Sequence, residues 1–316
     1  MVNQPSSERL QPRQSAEVSA LVVRATQHDG VRPLSEQTVL DVRRLPDEPT
    51  PPDATPGVHL VVEDHPGEID ARVLGYAHVE RSDPPSAEIV VDPEHRRGGV
   101  GGALLQQVLE EYPGVRVWAH GDLVPARKMA DAFGLRPVRD LWQMARPLSG
   151  EWSELPEVDL PEGFAVRPFQ VGQDEQAWLA VNARSFAAHA EQGRMTLTDL
   201  TDRINEPWFD PHGFLLVEDH NGDGPPRLAG FHWTKVESSG QGPTSGEVYV
   251  VGVDPDYQGR GLGKAVTVLG LRHLRACGLD TATLYVDGDN EPALATYHRL
   301  GFERSMVDVM YAVDGA

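Results

Sequence analysis

The chain has 316 residues, of which 40% are hydrophobic and 24% charged, with a single cysteine and a formal net charge of −20. That length is about twice a usual domain, so two domains are expected, and the acidity argues against nucleic acid or an anionic membrane as a partner while suiting a cationic one. Cys277 alone excludes an intramolecular disulfide framework or a multi-cysteine metal site, no apolar run reaches the roughly 18 residues of a membrane span, and Met1–Ser19 lacks a signal-peptide pattern, so the cytoplasm is the expected compartment.

In chain order, residues 1–20 read as a flexible N-terminus and residues 21–147 as a first domain. Leu45–Gly57 (LPDEPTPPDATPG) is too rich in proline for a helix or a central strand and reads as an exposed loop. Strand patterns follow at His59–Glu63, Arg72–Val79 and Ser86–Val91. A glycine-rich turn then leads into helical spacing over Gly101–Tyr112, a short strand at Arg116–Ala119 and another helical segment. The acidic, proline-punctuated stretch 148–163 reads as a linker. The second domain, 164–316, repeats the series with strands at Gly213–Glu218, Arg227–Val236 and Gly246–Val253. A glycine turn, helical spacing over Gly263–Cys277 and a strand at Ala282–Asp287 complete it. An α+β domain built twice is the simplest reading.

The repeat is visible in the residues themselves. Asp92–Gly101 (DPEHRRGGVG) matches Asp254–Gly263 (DPDYQGRGLG) without a gap, 162 residues later, and Ala132–Leu135 (AFGL) matches Arg299–Phe302 (RLGF) 167 residues later. Two matched blocks at nearly one spacing indicate a duplication.

Between a strand and a helix, Gln258-x-x-Gly261-x-Gly263 has the makings of an anion site. Its glycines allow a tight turn and close approach of backbone to ligand, and the following helix offers unpaired N–H groups at its positive end. Arg260 adds a charge suited to a pyrophosphate. Such a turn is as often purely structural; it lacks the lysine followed by Ser or Thr of a Walker A loop, and its spacing is not that of a dinucleotide fingerprint.

The run Val251–Gly263 (VGVDPDYQGRGLG) closely resembles the acetyl-CoA motif of the GNAT acetyltransferases, and Leu284–Phe302 (LYVDGDNEPALATYHRLGF) resembles that family's final motif. The resemblance implies two tandem GNAT domains, each a mixed, mostly antiparallel sheet flanked by helices, with acetyl-CoA as cosubstrate and no metal. It implies cosubstrate contacts from Val251, Gly252, Val253, Gln258, Gly259, Arg260, Gly261, Leu262, Gly263 and Lys264, and from Asn290, Glu291, Pro292, Ala293, Leu294 and Ala295. In the first domain the matching positions are Ile89, Val90 and Val91 with Arg96, Arg97, Gly98, Gly99, Val100 and Gly101, a loop still able to hold a pyrophosphate; whether it does so stays open. Across the repeat, Tyr297 aligns with Ala130, Asn290 with Leu123 and Glu247 with Pro85, so only the second domain is equipped for catalysis.

Acetyl transfer to an amine needs a neutral amine, a polarised carbonyl and a protonated leaving thiolate. Glu247, six residues before Val253, is placed to deprotonate the amine directly or through water, and Tyr297 is the candidate general acid. A splay or bulge near Val251–Val253 would free a backbone N–H for the thioester oxygen.

Over nearly its whole length the chain is similar to the mycothiol synthase family of tandem GNAT proteins. The segments carrying this are Leu34–Gln37 (LSEQ), Val181–Gly193 (VNARSFAAHAEQG), Phe231–Lys235 (FHWTK) and Gly246–Tyr249 (GEVY). The similarity implies acetylation of the cysteinyl amine of cysteine–glucosamine–inositol, with substrate contacts from Glu36, Glu191, Lys235, Glu247 and Tyr285; oligomeric state stays open, with a monomer expected because two GNAT folds in one chain could pack internally as paired GNAT subunits do. That amine has an unperturbed pKa of about 8, within reach of one glutamate acting through water. Each residue also has a plain structural reading: Glu36 on a solvated helix face, Glu191 at a helix terminus, Lys235 as an edge charge, Tyr297 as core packing. A GNAT enzyme for another amine or a peptide N-terminus, a CoA-binding sensor without turnover, and an interaction scaffold remain as alternatives. The proline-rich loop at 45–57 and the short connection after Cys277 depart from the family pattern.

Overall fold

Helix α1 (Pro12–Asp29) occupies much of the stretch 1–20 that the polar sequence presents as a flexible end. Pro12 suits the first helical position, Gln14 accepts from the N–H of Gln11, and Gly30 closes the helix in the left-handed conformation at φ 71°. The helix is held for a simple reason. Val18, Leu21 and Ala25 form a narrow buried stripe, and the polar residues around them face outward.

The computed structural model describes residues 6–44, 46, 57–68, 70–151, 153–187, 190–237 and 245–314. Most of the expected loop Leu45–Gly57 lies outside the described residues. The chain divides into two compact units, Met1–Leu141 with Val307–Ala316, and Trp142–Met306. The division falls inside two strands rather than within the stretch 148–163.

The first unit runs β1 (Ser6–Ser7), α1, α2 (Glu36–Arg43), β2 (Val58–Glu63), β3 (Val73–Glu80), β4 (Ser86–Val91), α3 (Val100–Glu111), β5 (Arg116–Ala119), α4 (Val124–Ala132) and the start of β6 (Leu135–Pro147). Its strands lie in the order β1-β2-β3-β4-β5-β12, where β12 (Glu303–Val313) arrives from the end of the chain. Only β4 and β5 pair in parallel among the registers β1/β2, β2/β3, β3/β4, β4/β5 and β5/β12. Alternation along the strands sends neighbours to opposite faces. Leu60 and Ala77 join Leu104, Leu105 and Val108 of α3, while Val61 and Tyr76 join Val18 and Leu21 of α1.

The second unit continues with β7 (Phe164–Pro168), α5 (Glu175–Ser185), α6 (Ala190–Gly193), α7 (Leu197–Ile204), β8 (Phe214–Asp219), β9 (Arg227–Lys235), β10 (Ser245–Val253), α8 (Leu262–Ala276), β11 (Thr281–Asp287) and α9 (Glu291–Arg299). The strand order is β6-β11-β10-β9-β8-β7, with β10 and β11 parallel. On one face Val248 and Leu284 pack with Val268, Leu271 and Leu274 of α8. On the other, Trp178 of α5 meets an aromatic cluster. Phe214 and Trp233 stack at 4.4 Å, and Trp178 stands edge-on to both at 5.4 and 5.7 Å. Such pairs add about 0.5–1.5 kcal/mol each beyond the apolar area they bury. The stretch 148–163 belongs to this unit. Leu148 is buried and its N–H donates to Asp280 O at 2.8 Å, and Leu155 and Val158 lie against the α8 cluster.

His232 explains a glycine in the middle of α8. Its Nδ1 lies 2.9 Å from Val266 O, and a Cβ on Gly270 would stand 2.2 Å from its ring. Burial lowers the His232 pKa to about 4, so the ring is neutral and donates to that carbonyl.

Candidate active site

The chain leaves β10 through a turn at Pro255–Tyr257 and enters α8 at Leu262. Asp254 accepts from Asp256 N–H and is held by two bonds from Arg184 at 2.9 and 3.0 Å, which fixes the exit from the strand. Gly259 and Gly261 have φ of 76° and 81°. A Cβ at either would meet nothing within 4 Å, so glycine is required there by backbone conformation and not by crowding. Among the described residues no side chain caps α8, so its first N–H groups point outward unsatisfied by the protein's own side chains. Arg260 lies over the Tyr257 ring at 5.2 Å, Lys264 is exposed, and Gln258 Nε2 is 3.4 Å from Val253 O. An uncapped helix terminus of this kind, with a cation beside it, fits a pyrophosphate.

The first unit repeats the turn. Gly99, at φ 90°, precedes α3 without a side-chain cap, and Arg97 has φ 65°. Arg96, however, makes a bidentate pair with Asp29 at 2.8 and 2.7 Å and also donates to Val91 O. Its guanidinium is committed to the fold, while Gly98, Gly99, Val100 and Gly101 still present backbone.

Between β10 and β11 the parallel ladder runs from Ser245↔Thr281 to Val248↔Leu284, yet the strands continue to Val253 and Asp287. They part at that point. Opposite β9 the register shifts between Val248↔Thr234 and Val250↔Trp233, which makes Tyr249 the extra residue of a β-bulge. In an unbroken strand Val248 and Val250 would share a face. Here Val248 packs with α8 and Val250 with the aromatic cluster of α5. The break thus begins a little before the expected Val251–Val253. In the first unit the β4/β5 ladder likewise stops at Glu88↔Trp118, and Ile89, Val90 and Val91 run on past it.

Glu247 is half-buried on β10, opposite Lys235 in β9 and Thr283 in β11. Lys235 is only 6% exposed; its Nζ sits 2.8 Å from a Glu237 carboxylate oxygen and lies over the rings of Trp208 at 4.9 Å and Tyr249 at 5.4 Å. Arg203 Nε donates to the Tyr249 hydroxyl at 2.6 Å. Arg203 and Trp208 carry no motif and escape a sequence reading. The available signal was positional, since Arg203 lies three residues after buried Leu200 on the inward stripe of α7.

At the other side of the splay, Asn290 caps α9 by accepting from Ala293 N–H at 3.2 Å. Glu291, Pro292 and Ala295 are exposed and Ala293 is half-buried, whereas the side chains of Leu294 and Leu262 are core residues. Tyr297 is half-buried, edge-on to Phe302 at 5.8 Å. Among the described residues its hydroxyl has no hydrogen-bond partner. Burial pushes this phenol up to about 12, so it keeps its proton at neutral pH. Tyr285 is 42% exposed on β11 and accepts from Gln143 Nε2 at 3.0 Å. Glu36 is the first residue of α2 in the first unit. Glu191 lies in α6, and its side chain lies outside the described residues.

Residues 176–302 match the acetyltransferase (GNAT) family model, and 55–133 match an acetyltransferase (GNAT) domain model. The mycothiol acetyltransferase of Kytococcus sedentarius is 50% identical over 97% of this chain and 96% of its own. The chain belongs to the mycothiol acetyltransferase family. Members from Thermobispora bispora and Streptomyces coelicolor are each 48% identical, over 95% and 96% of this chain and 96% and 93% of theirs. Among solved structures, a GCN5-related N-acetyltransferase from Sphaerobacter thermophilus superposes with a TM-score of 0.63 at 22% identity, covering 99% of this chain and 96% of that one. A tandem GNAT protein from the clavulanic acid biosynthesis pathway gives 0.64 at 18%, covering 95% and 94%. These two likenesses concern the fold, two GNAT domains in one chain. The enzyme class is that of the acetyltransferases.

Proposed function

We propose that the protein moves acetyl from acetyl-CoA to the cysteinyl amine of cysteine–glucosamine–inositol, with the chemistry in the second unit. The observation that carries the reading is identity of 46–50% to mycothiol acetyltransferases along nearly the full length of both chains. The geometry around the β10/β11 splay supports it, with Glu247 on one strand, Tyr297 on the helix beyond the other, and an uncapped α8 terminus.

The α8 turn holds the pyrophosphate through its backbone N–H groups, with Arg260 and Lys264 alongside, and the freed edge of β10 at Val251–Val253 directs an N–H at the thioester oxygen. Glu247 takes a proton from the ammonium, directly or through one water. The amine nitrogen then bonds to the carbonyl carbon and gives up its second proton to solvent, to which Glu247 also releases the first; the carbon–sulfur bond breaks, and Tyr297 protonates the leaving thiolate. Solvent reprotonates Tyr297. Lys235, Tyr285, Glu36 and Glu191 bind the hydroxyl-rich conjugate. The first unit, lacking counterparts of Glu247 and Tyr297, holds a pyrophosphate without turnover. The protein acts as a cytoplasmic monomer.

The test is acetylation followed by product mass, since the acceptor carries its own thiol. Purified protein with acetyl-CoA should acetylate the cysteinyl conjugate and leave glucosamine and simple peptides untouched. Activity on another amine, with none on the conjugate, would sink the substrate assignment and leave the acetyltransferase fold standing.

A further inference from the structure

We propose that Glu88, His120 and Asp308 are positioning residues for acceptor binding, a buried charged relay that fixes the first turn of α2 and so aims Glu36. The inference rests on the reading of Glu36 as an acceptor contact.

All three side chains belong to the first unit. Glu88 Oε1 lies 2.7 Å from His120 Nε2, and Asp308 Oδ2 lies 3.0 Å from His120 Nδ1. Each ring nitrogen therefore faces a carboxylate that only accepts, so the ring is an imidazolium donating from both sides. Asp308 also accepts from Gly121 N–H at 2.7 Å. Glu88 in turn grips the entry to α2. Its Oε1 accepts from Ser35 N–H at 2.9 Å and its Oε2 from the Ser35 hydroxyl at 3.1 Å. Ser35 is the helix cap, accepting from Thr38 N–H, and Glu36 is the next residue. The inner face of α2 meets further polar groups. Thr38 Oγ1 is 3.1 Å from His78 Nδ1, and His78 Nε2 is 3.5 Å from Asp41.

The fold does not need charge at this place. Carried back along the strand at the same 162-residue offset, Glu88 falls at Val250, and the second unit fills that position with a valine packed in its aromatic cluster. Buried ionic groups are frequently no more stabilising than an apolar replacement. What this relay adds is direction. It clamps both donor groups of one residue, Ser35, immediately before the proposed acceptor contact.

The experiment is steady-state kinetics on the full chain, varying the conjugate at saturating acetyl-CoA, with Glu36→Gln, His120→Gln and the double variant. Expected is a rise in KM for the conjugate of about tenfold in each single variant, kcat and KM for acetyl-CoA nearly unchanged, and a double variant no worse than Glu36→Gln. A His120→Gln enzyme with the parental KM beside an impaired Glu36→Gln enzyme would overturn the relay, as would multiplicative losses in the double. A silent Glu36→Gln variant would overturn it through the reading beneath it, and is told apart by that variant alone. Should His120→Gln fail to fold, Asp308→Asn carries the same comparison.

Discussion

Replacing Tyr297 by Phe removes one oxygen and leaves the ring where it packs against Phe302. The hydroxyl has no partner among the described residues, so no internal hydrogen bond is lost, and stability should fall by less than about 0.5 kcal/mol. The catalytic loss should be much larger. General-acid catalysis is worth about 10²–10⁴-fold, and an ordinary thiol has a pKa of about 8.5, so the leaving thiolate is already fairly stable. A phenol held near 12 therefore assists a departure that is only partly dependent on it, and a fall in kcat near the lower bound, about 10²-fold, is expected. The pH dependence supplies a second reading. Activity should rise with pH as the acceptor amine loses its proton near 8, and no limb from Tyr297 should appear below about pH 11. The assay is product mass against time from pH 6 to 10 for parent and variant, with thermal melts of both. A variant with parental kcat, or one that melts many degrees lower, would show that this tyrosine serves packing and not proton transfer.

Glu247→Gln should lower kcat by about 10²-fold or more while KM for the conjugate changes little, and the rate should then follow the amine's own ionisation, read from the same pH series. Gly261→Ala forces a left-handed residue and should cost about 1–2 kcal/mol in urea unfolding, with KM for acetyl-CoA raised; a neutral outcome would mean the turn relaxes freely. Burial alone lowers the His120 pKa, but its hydrogen bonds to Asp308 and Glu88 outweigh that and raise it to about 10, against 6.5 unfolded. This contribution to stability is full below about pH 6.5 and disappears as pH climbs through about 10, so the urea midpoint should drop between pH 7 and 10, and His120→Gln should flatten the slope.

The parts of the chain legible in sequence are those whose signals are local. Ser86–Val91 and Arg116–Ala119 form strands over the residues their alternation predicts, and the glycine turns before α3 and α8 stand where a left-handed backbone demands them. Helix α1 was masked by its polar outer face. The bulge at Tyr249 leaves no mark in composition, because it is a register event between two strands. Arg203 reaches Tyr249 across 46 positions, and His120 reaches Asp308 across 188, separations over which no spacing rule operates. The candidate proton carriers were readable through family motifs. Their surroundings, which give Tyr297 its raised pKa and Lys235 its two aromatic neighbours, were not.

The last strand has a consequence for how the molecule comes into being. Val309, Met310 and Tyr311 pair with Ala119, Trp118 and Val117, so the first unit cannot close its sheet until a strand made after the whole second unit has left the ribosome. The second unit, 142–306, is complete a few residues sooner. The usual order of domain maturation during translation is therefore reversed, and a chain stopped after Met306 would leave the first unit, rather than the second, with an unpaired edge at β5.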